Sequence, residues 1–412
     1  MRLFSSTSGR TVCLLSCLLP ALASGQVADL SDTAANAPQP STPLSWETLA
    51  EDLDDFLEWS EDPLADLGWE PPAPSAISHG GSLRIGPGHS DNYLKRFHPT
   101  AQDFTFIEGD LFLNALLPAS SLTLLLFGEW TGYRTNGPAD AESLAFALLE
   151  WSLPTLSGSR GLRLSSFYGD QIYDASLSIQ APPLGTTFRQ VRPEIALFLK
   201  HEFSDRDAME VALAVRGARF DDPQNDHQRL LLEVDWTHTF SVRWRTSTRF
   251  TAYREEHRLA TSRQRNSLPS DPASSLRING AEWAQQLTAQ LPWGKSLHAT
   301  LEAGTNLELD PVGEYDDLYR VWTGLQVQWK WKKLSFEAAT RWQETRYDKR
   351  QIAFLDPRAL LLQYRSAECR ATYALSQHLA LIGRWEWLDS YSRIDTDRYS
   401  EQRGQLLLEW SY

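Results

Sequence analysis

Few residues in this chain have the types and spacing that chemistry needs. His89, Ser90 and Asp91 are the residue types of a hydrolytic triad. Three consecutive side chains diverge, however, and cannot converge on one reacting atom. The run His79, Gly80, Gly81, Ser82 fares no better. No Gly-x-Ser-x-Gly, His-Glu-x-x-His, phosphate loop or paired-cysteine motif occurs, so the expectation is a protein that is not an enzyme, with no catalytic residue, cofactor or metal centre. Glu314, Asp316 and Asp317, and separately Asp395 and Asp397, offer oxygen ligands at short spacing. Neither run has the glycine and distal glutamate of a defined calcium loop, so both read as exposed acidic loops. Arg258, Arg263, Arg265 and Arg277 surround the longest polar connection and could touch phosphates or attract anions.

A larger set of charges sits inside periodic segments. From 297 to 309 the odd positions are Leu, Ala, Leu, Ala, Thr, Leu, Leu and the even ones His, Thr, Glu, Gly, Asn, Glu. From 319 to 331, Val321, Leu325, Val327, Trp329 and Trp331 oppose Arg320, Gln326, Gln328 and Lys330. Strict alternation means strand, because successive side chains point to opposite faces. These runs exceed the roughly five or six residues of an ordinary strand and suit the roughly nine to eleven that a tilted strand needs to cross a bilayer. The polar face of such strands carries Glu233, Asp235, Arg243, Arg245, Arg249, Glu302, Arg320, Glu337, Arg341, Glu368, Arg370, Arg384 and Glu386, which are expected to line a lumen. Whether these charges leave an aqueous channel or neutralise one another and fill the interior stays open at this point.

Connections alternate in length. Tight ones fall at 118–121, 204–207, 292–295, 332–333 and 376–378, and longer polar ones at 174–190, 258–275, 310–318 and 348–358. That asymmetry suits a barrel with short turns at one rim and long loops at the other. Sixteen strands follow, an antiparallel transmembrane β-barrel over 77–412, with both chain ends at the short-turn rim. Two hairpins are specific enough to commit to a register. A turn at Lys332 and Lys333 makes partner numbers add to 665, placing Gln328 opposite Glu337 and Gly324 opposite Arg341. A turn near Phe240 and Ser241 makes them add to 482, pairing Glu233 with Arg249 and leaving Arg243 and Arg245 opposite threonines. The connection 174–190, third at the long-loop rim, is expected to bend inward.

The rest of the chain has a different composition. Residues 1–23 hold Arg2, Arg10 and an apolar run from Val12 to Leu22, and read as a signal peptide cleaved near Ala23 or Gly25. Cys17 raises lipoprotein processing as the competing reading. Residues 24–76 contain 12 acids and no Lys, Arg or His, so most of the formal charge of -14 belongs to this leader and the body is nearly neutral. Such acidity excludes a general nucleic-acid binder. Within the leader, Trp46, Leu49, Leu53, Phe56 and Leu57 recur at helical spacing behind Ser45, giving a short amphipathic helix. With Cys13 and Cys17 in the signal, Cys369 is left alone and no disulfide framework exists. The 16 tryptophans gather near strand ends, as in Trp130 with Tyr133, Trp329 with Trp331, Trp385 with Trp387 and Trp410 with Tyr412, at the depth where amphipathic rings favour a membrane interface.

The last strand runs to the final residue, with Leu406, Leu408, Trp410 and Tyr412 on one face. This resembles the assembly signal of bacterial outer-membrane β-barrel proteins, porin-like in strand number. The resemblance implies a Gram-negative outer membrane, recognition by the barrel-assembly machinery, contact with lipid and lipopolysaccharide, and possible homo-oligomers. The function expected is passive diffusion of small hydrophilic solutes. Alternatives are a secretion or polysaccharide-export barrel whose leader engages a periplasmic partner, and a lipid-modifying enzyme, which would need an outward-facing His and Ser pair.

Overall fold

An alternating pattern sustained over a dozen residues is satisfied by a sheet whose two faces meet different solvents. The computed structural model describes residues 77–134, 140–174, 185–261, 274–291, 297–353, 356–394 and 397–412, and within them the pattern becomes sixteen strands. They are β1 (Ile77–Ser90), β2 (Gln102–Leu117), β3 (Ser120–Tyr133), β4 (Ala141–Thr155), β5 (Gly158–Asp174), β6 (Gly185–Ser204), β7 (Asp207–Phe220) and β8 (His227–Ser241). There follow β9 (Trp244–Thr261), β10 (Ser275–Gln290), β11 (Leu297–Leu309), β12 (Leu318–Trp331), β13 (Leu334–Ala353), β14 (Asp356–Ala374), β15 (Leu379–Ser392) and β16 (Tyr399–Ser411). Every strand pairs antiparallel with its sequence neighbours, and β1 closes on β16. Closure abolishes the sheet edges that would otherwise leave backbone groups unpaired, at several kcal/mol each in hydrocarbon. The signal, the leader and its amphipathic helix lie outside the described residues.

The expected alternation of connections holds. One rim carries two-residue turns at 118–119, 156–157, 205–206, 242–243 and 332–333, and the opposite rim carries longer connections such as 91–101 and 310–317. The expected 348–358 loop is an exception, because β13 runs to Ala353 and β14 starts at Asp356. At the Lys332–Lys333 turn Lys332 adopts a φ of 53°, the left-handed conformation that a tight hairpin requires. Its register is the expected one: Gln328 faces Glu337, and Gly324 faces Arg341. The hairpin of β8 and β9 differs. Its turn is Val242–Arg243, the ladder slips between Thr239 and Ser241, and partner numbers add to 484. Arg249 therefore faces Asp235, Glu233 faces Thr251, and Arg245 faces Thr239. The turn sits further along the chain than expected, giving a sum of 485 at Ser241 and Trp244, and the one-residue slip brings it to 484. The net displacement of two leaves the inward face unchanged, because two is the period of the pleat.

The faces are segregated as the alternation requires. Outward positions expose Ile195, Leu197, Leu199, Leu213, Val215, Leu325 and Trp385, a continuous apolar surface. A surface of that size is unsuited to water and matches the outer belt of a membrane barrel. Leu406, Leu408, Trp410 and Tyr412 share this face, with the last two rings stacked at 5.4 Å. Tyr133 is a correction to the expected aromatic pairing: Trp130 is outward, whereas Tyr133 is buried inside and donates to Glu142 at 2.7 Å. The pleat decides this, since positions 130 and 133 have opposite parity. Inside the loop-end half, aromatics fill glycine gaps on neighbouring strands. A Cβ on Gly280 would meet the Tyr253 ring at 1.9 Å, and one on Gly304 would meet the Trp322 ring at 2.1 Å.

Candidate functional site

The inward wall is built from acids and bases that meet across strands. Arg249 donates to Asp235 at 2.9 Å. Arg384 on β15 reaches Glu368 at 2.8 Å on one neighbour and Glu386 at 2.6 Å on its own strand. Arg370 lies 3.7 Å from Glu409, and Arg84 bonds Glu409 at 2.5 Å and also contacts Glu108, so the ladder runs without a break from β14 to β2. Across the barrel, Arg163 joins Glu150 at 2.9 Å and Glu210 at 3.2 Å, while Arg216 bonds Glu194 at 2.6 Å. Pairing of this kind answers part of what the sequence left open: the charges neutralise one another locally more than they stand alone.

The remaining expected lining residues have diverse surroundings. Glu302 accepts from the Trp322 indole at 2.6 Å, and Glu337 accepts from Gln326 at 2.9 Å. Arg320 is 2% exposed and 3.9 Å from Glu308, and Arg341 is also buried, its guanidinium 5.8 Å from the Trp322 ring centroid. Glu233 faces Ala212 and Thr251. Arg243 occupies the two-residue turn rather than the strand, so the alternation that was to aim it inward does not act on it.

Near the loop rim the lumen changes character. Leu94, in the connection between β1 and β2, turns into the barrel and joins one buried cluster with Phe104, Phe106, Tyr133, Ile172, Ile382 and Leu407. The same segment is fastened by charge: Lys95 lies 3.3 Å from Glu142, which also receives Arg403 at 3.2 Å and the Ile172 amide at 3.2 Å. Asn92 donates to the Arg96 and Ser400 carbonyls at 2.8 and 2.9 Å. Burial in this packing raises the Tyr93 hydroxyl above its ordinary range. A second apolar cluster joins Leu318, Tyr347, Leu360, Leu362, Tyr364, Leu388 and Tyr399 on β12 to β16. The first loop, then, is an infolded one. The inward bend expected of the third loop concerns residues 175–184, outside the described residues, and flanking positions 185–190 belong to β6.

Other chemistry-bearing residues are placed as follows. His89 and Ser90 point to opposite faces: His89 meets Asp103 at 2.8 Å outside, and buried Ser90 donates to Glu401 at 2.8 Å inside. They cannot act on one atom, although an outward His–Asp pair does exist. In the 310–317 loop Glu314 is engaged by Lys349, Asp316 lies 3.9 Å from Arg350, and Asp317 accepts the Asp310 amide at 2.6 Å. Burial, aided by three neighbouring aspartates, raises the Asp317 carboxyl. Arg277 lies 3.6 Å from Glu256, and Arg263 and Arg265 fall outside the described residues. One constellation went unnoticed in the sequence: His227, Glu255 and His257 bring ligand atoms within 4.8 Å of one another. The signal was present in their shared odd parity, but only the register that sets His227 opposite His257 brings them together.

No family model and no curated protein matches this sequence. Solved structures similar to it include an anion-selective porin from Comamonas acidovorans, at 10% identity and a TM-score of 0.44, covering 82% of this chain and all of that one. The outer membrane protein OprD from Pseudomonas aeruginosa is similar at 11% identity and a TM-score of 0.39, over 82% of this chain and 94% of the other. CdiB from Acinetobacter baumannii is similar at 11% identity and a TM-score of 0.46, over 83% of this chain and 61% of its own.

Proposed function

We propose that this chain is an outer-membrane, porin-like channel through which small hydrophilic solutes diffuse. The observation that carries the reading is the opposite solvation of the two faces of a closed wall: apolar and exposed outside, charged and hydrogen-bonded inside. Such a wall needs hydrocarbon around it, and a polar sixteen-stranded lumen suits water and ions. On this reading the two-residue turns and the acidic leader face the periplasm, and the long loops face outward. Leu406, Leu408, Trp410 and Tyr412 serve the barrel-assembly machinery as its recognition strand. Lipid and lipopolysaccharide cover the apolar belt, and self-association is a matter for that same surface.

Transport involves no chemical step. A solute crosses a field of paired charges whose local imbalances set ion preference, since a low-dielectric wall focuses potential into the water it encloses. On this reading the strap carrying Leu94 and Lys95 narrows the route at its loop end. Single-channel recording of the purified protein in planar bilayers tests the reading, with reversal potentials under a salt gradient. Discrete conductance steps are expected. A folded barrel that stays silent at every voltage rules the channel out.

A further inference from the structure

We propose that His227, Glu255 and His257 form a binding site for one zinc-class divalent cation inside the barrel wall, at the long-loop end of β8 and β9. This inference stands independently of the channel reading.

Two imidazoles and a carboxylate are a donor set that first-row transition ions of intermediate softness accept, with further positions left for water. His227 and His257 are direct cross-strand partners, and Glu255 precedes His257 by two residues on the same inward face. Glu255 bonds the His257 Nε2 at 2.5 Å and lies 3.7 Å from the His227 Nε2. Ligands of a tetrahedral zinc ion with bonds of about 2.0–2.1 Å lie about 3.4 Å apart, so the three donors need only small rotations to meet one ion.

The surroundings favour metal over mere contact. The His227 Nδ1 lies 2.9 Å from the Asn225 carbonyl. A carbonyl can only accept, so the proton sits on Nδ1 and the Nε2 lone pair is left facing Glu255, the arrangement that orients metal-bound imidazoles. The His257 Nδ1 is buried without a hydrogen-bond partner. Ligation through His257 Nε2 requires the ring proton now shared with Glu255 to move to Nδ1 of the same imidazole, whose lone pair is not otherwise engaged. Leu231, Tyr253, Leu276 and Ile278 supply an apolar wall beside the site, where a charge–ligand interaction is weakly screened. Arg229 opposes binding: it donates to Glu255 at 3.1 Å and holds the carboxylate that an ion would claim. The cation therefore competes with a guanidinium, and Arg229→Gln should tighten binding.

The experiment is calorimetric titration of ZnCl₂ into the full-length protein, refolded in detergent micelles and cleared of metal by chelation. One saturable equivalent is expected, with affinity falling as pH is lowered because protons compete for the ligand lone pairs. His227→Gln and His257→Gln should each weaken binding by about tenfold or more. His238→Gln, at the short-turn end beside Asp207, should leave it unchanged. Heat-modifiable gel migration reports whether each variant folds. Zinc absorption spectroscopy on the unaltered protein needs no variant: a two-imidazole signature supports the site, and a shell of oxygen donors alone overturns it. Absence of saturable binding, or binding untouched in folded His227→Gln/His257→Gln, overturns it equally.

Discussion

The loop-end half of the lumen and its turn-end half are made from the same alternating strands, yet they behave as different materials. Toward the loop rim inward side chains are packed to near-complete burial: Leu362 is 0% exposed, Phe104 1% and Arg320 2%. Toward the turn rim the inward charges keep part of their surface, with the side chains of Arg249 and Asp235 at 22% and 27%. A pair such as Arg229 and Glu255 was taken out of water and needs its partner, whereas Arg249 and Asp235 keep a share of theirs. The same ion pair is thus a structural tie in one half and an adjustable field in the other.

The largest break expected in this comparison is Glu142→Gln. It leaves Lys95 and Arg403 facing a neutral amide in the packed half, at a cost of about 3–5 kcal/mol for an uncompensated buried charge. Denaturant unfolding should show that loss, and bilayer recording should show a wider or noisier channel as the strap loosens. A midpoint unchanged in urea would mean that the strap is not tied by charge.

Next comes Leu94→Ala, which empties the apolar contact between strap and wall. Core truncations of this size cost about 2–5 kcal/mol, and here part is recovered if water enters. Conductance should rise, with little change in ion preference. A rise in preference without a rise in conductance would place Leu94 off the solute route.

In the turn-end half, Asp235→Asn should alter stability by only about 0.2–1 kcal/mol, the range for a partly exposed pair. Its visible effect is on the reversal potential, moved toward anions because Arg249 loses its nearest negative neighbour. Arg249→Ser should move it toward cations. Equal and large stability losses at 142 and 235 would abolish the distinction between the halves.

The smallest effect is expected at Arg243→Ser. The residue sits in a two-residue turn, so neither stability nor selectivity should change measurably. A shift as large as that of Arg249→Ser would show that the turn residue reaches into the conducting path.

How much of this was legible in the chain differs between wall and lumen. Strand count, the alternation of connections and the Lys332–Lys333 register were readable because each rests on local chemistry: the pleat reverses the side chain at every residue, and two lysines between strong alternating runs leave one way to turn. The β8–β9 hairpin defeated the same reasoning, because a register displaced by a net two residues leaves the hydrophobic pattern intact and so has no signature in it. The buried cluster beneath the first loop was harder still. Ile382 and Leu407 interrupt the polar face of their strands, and they gain a meaning only beside Leu94, which arrives from a loop about 300 residues away in sequence.

By itself, then, the sequence determined that this protein would be a closed antiparallel barrel with one apolar and one polar face, since backbone pairing and period-two solvation are properties of short stretches. Only the tertiary structure decided which inward residues meet. It set Arg384 between Glu368 and Glu386, drew Lys95 to Glu142, and placed His227, Glu255 and His257 around one point. Closure into a ring brings distant strands and an infolded loop within a few ångströms of one another, and the register of each hairpin, fixed by turn geometry rather than by pattern, then selects the neighbours.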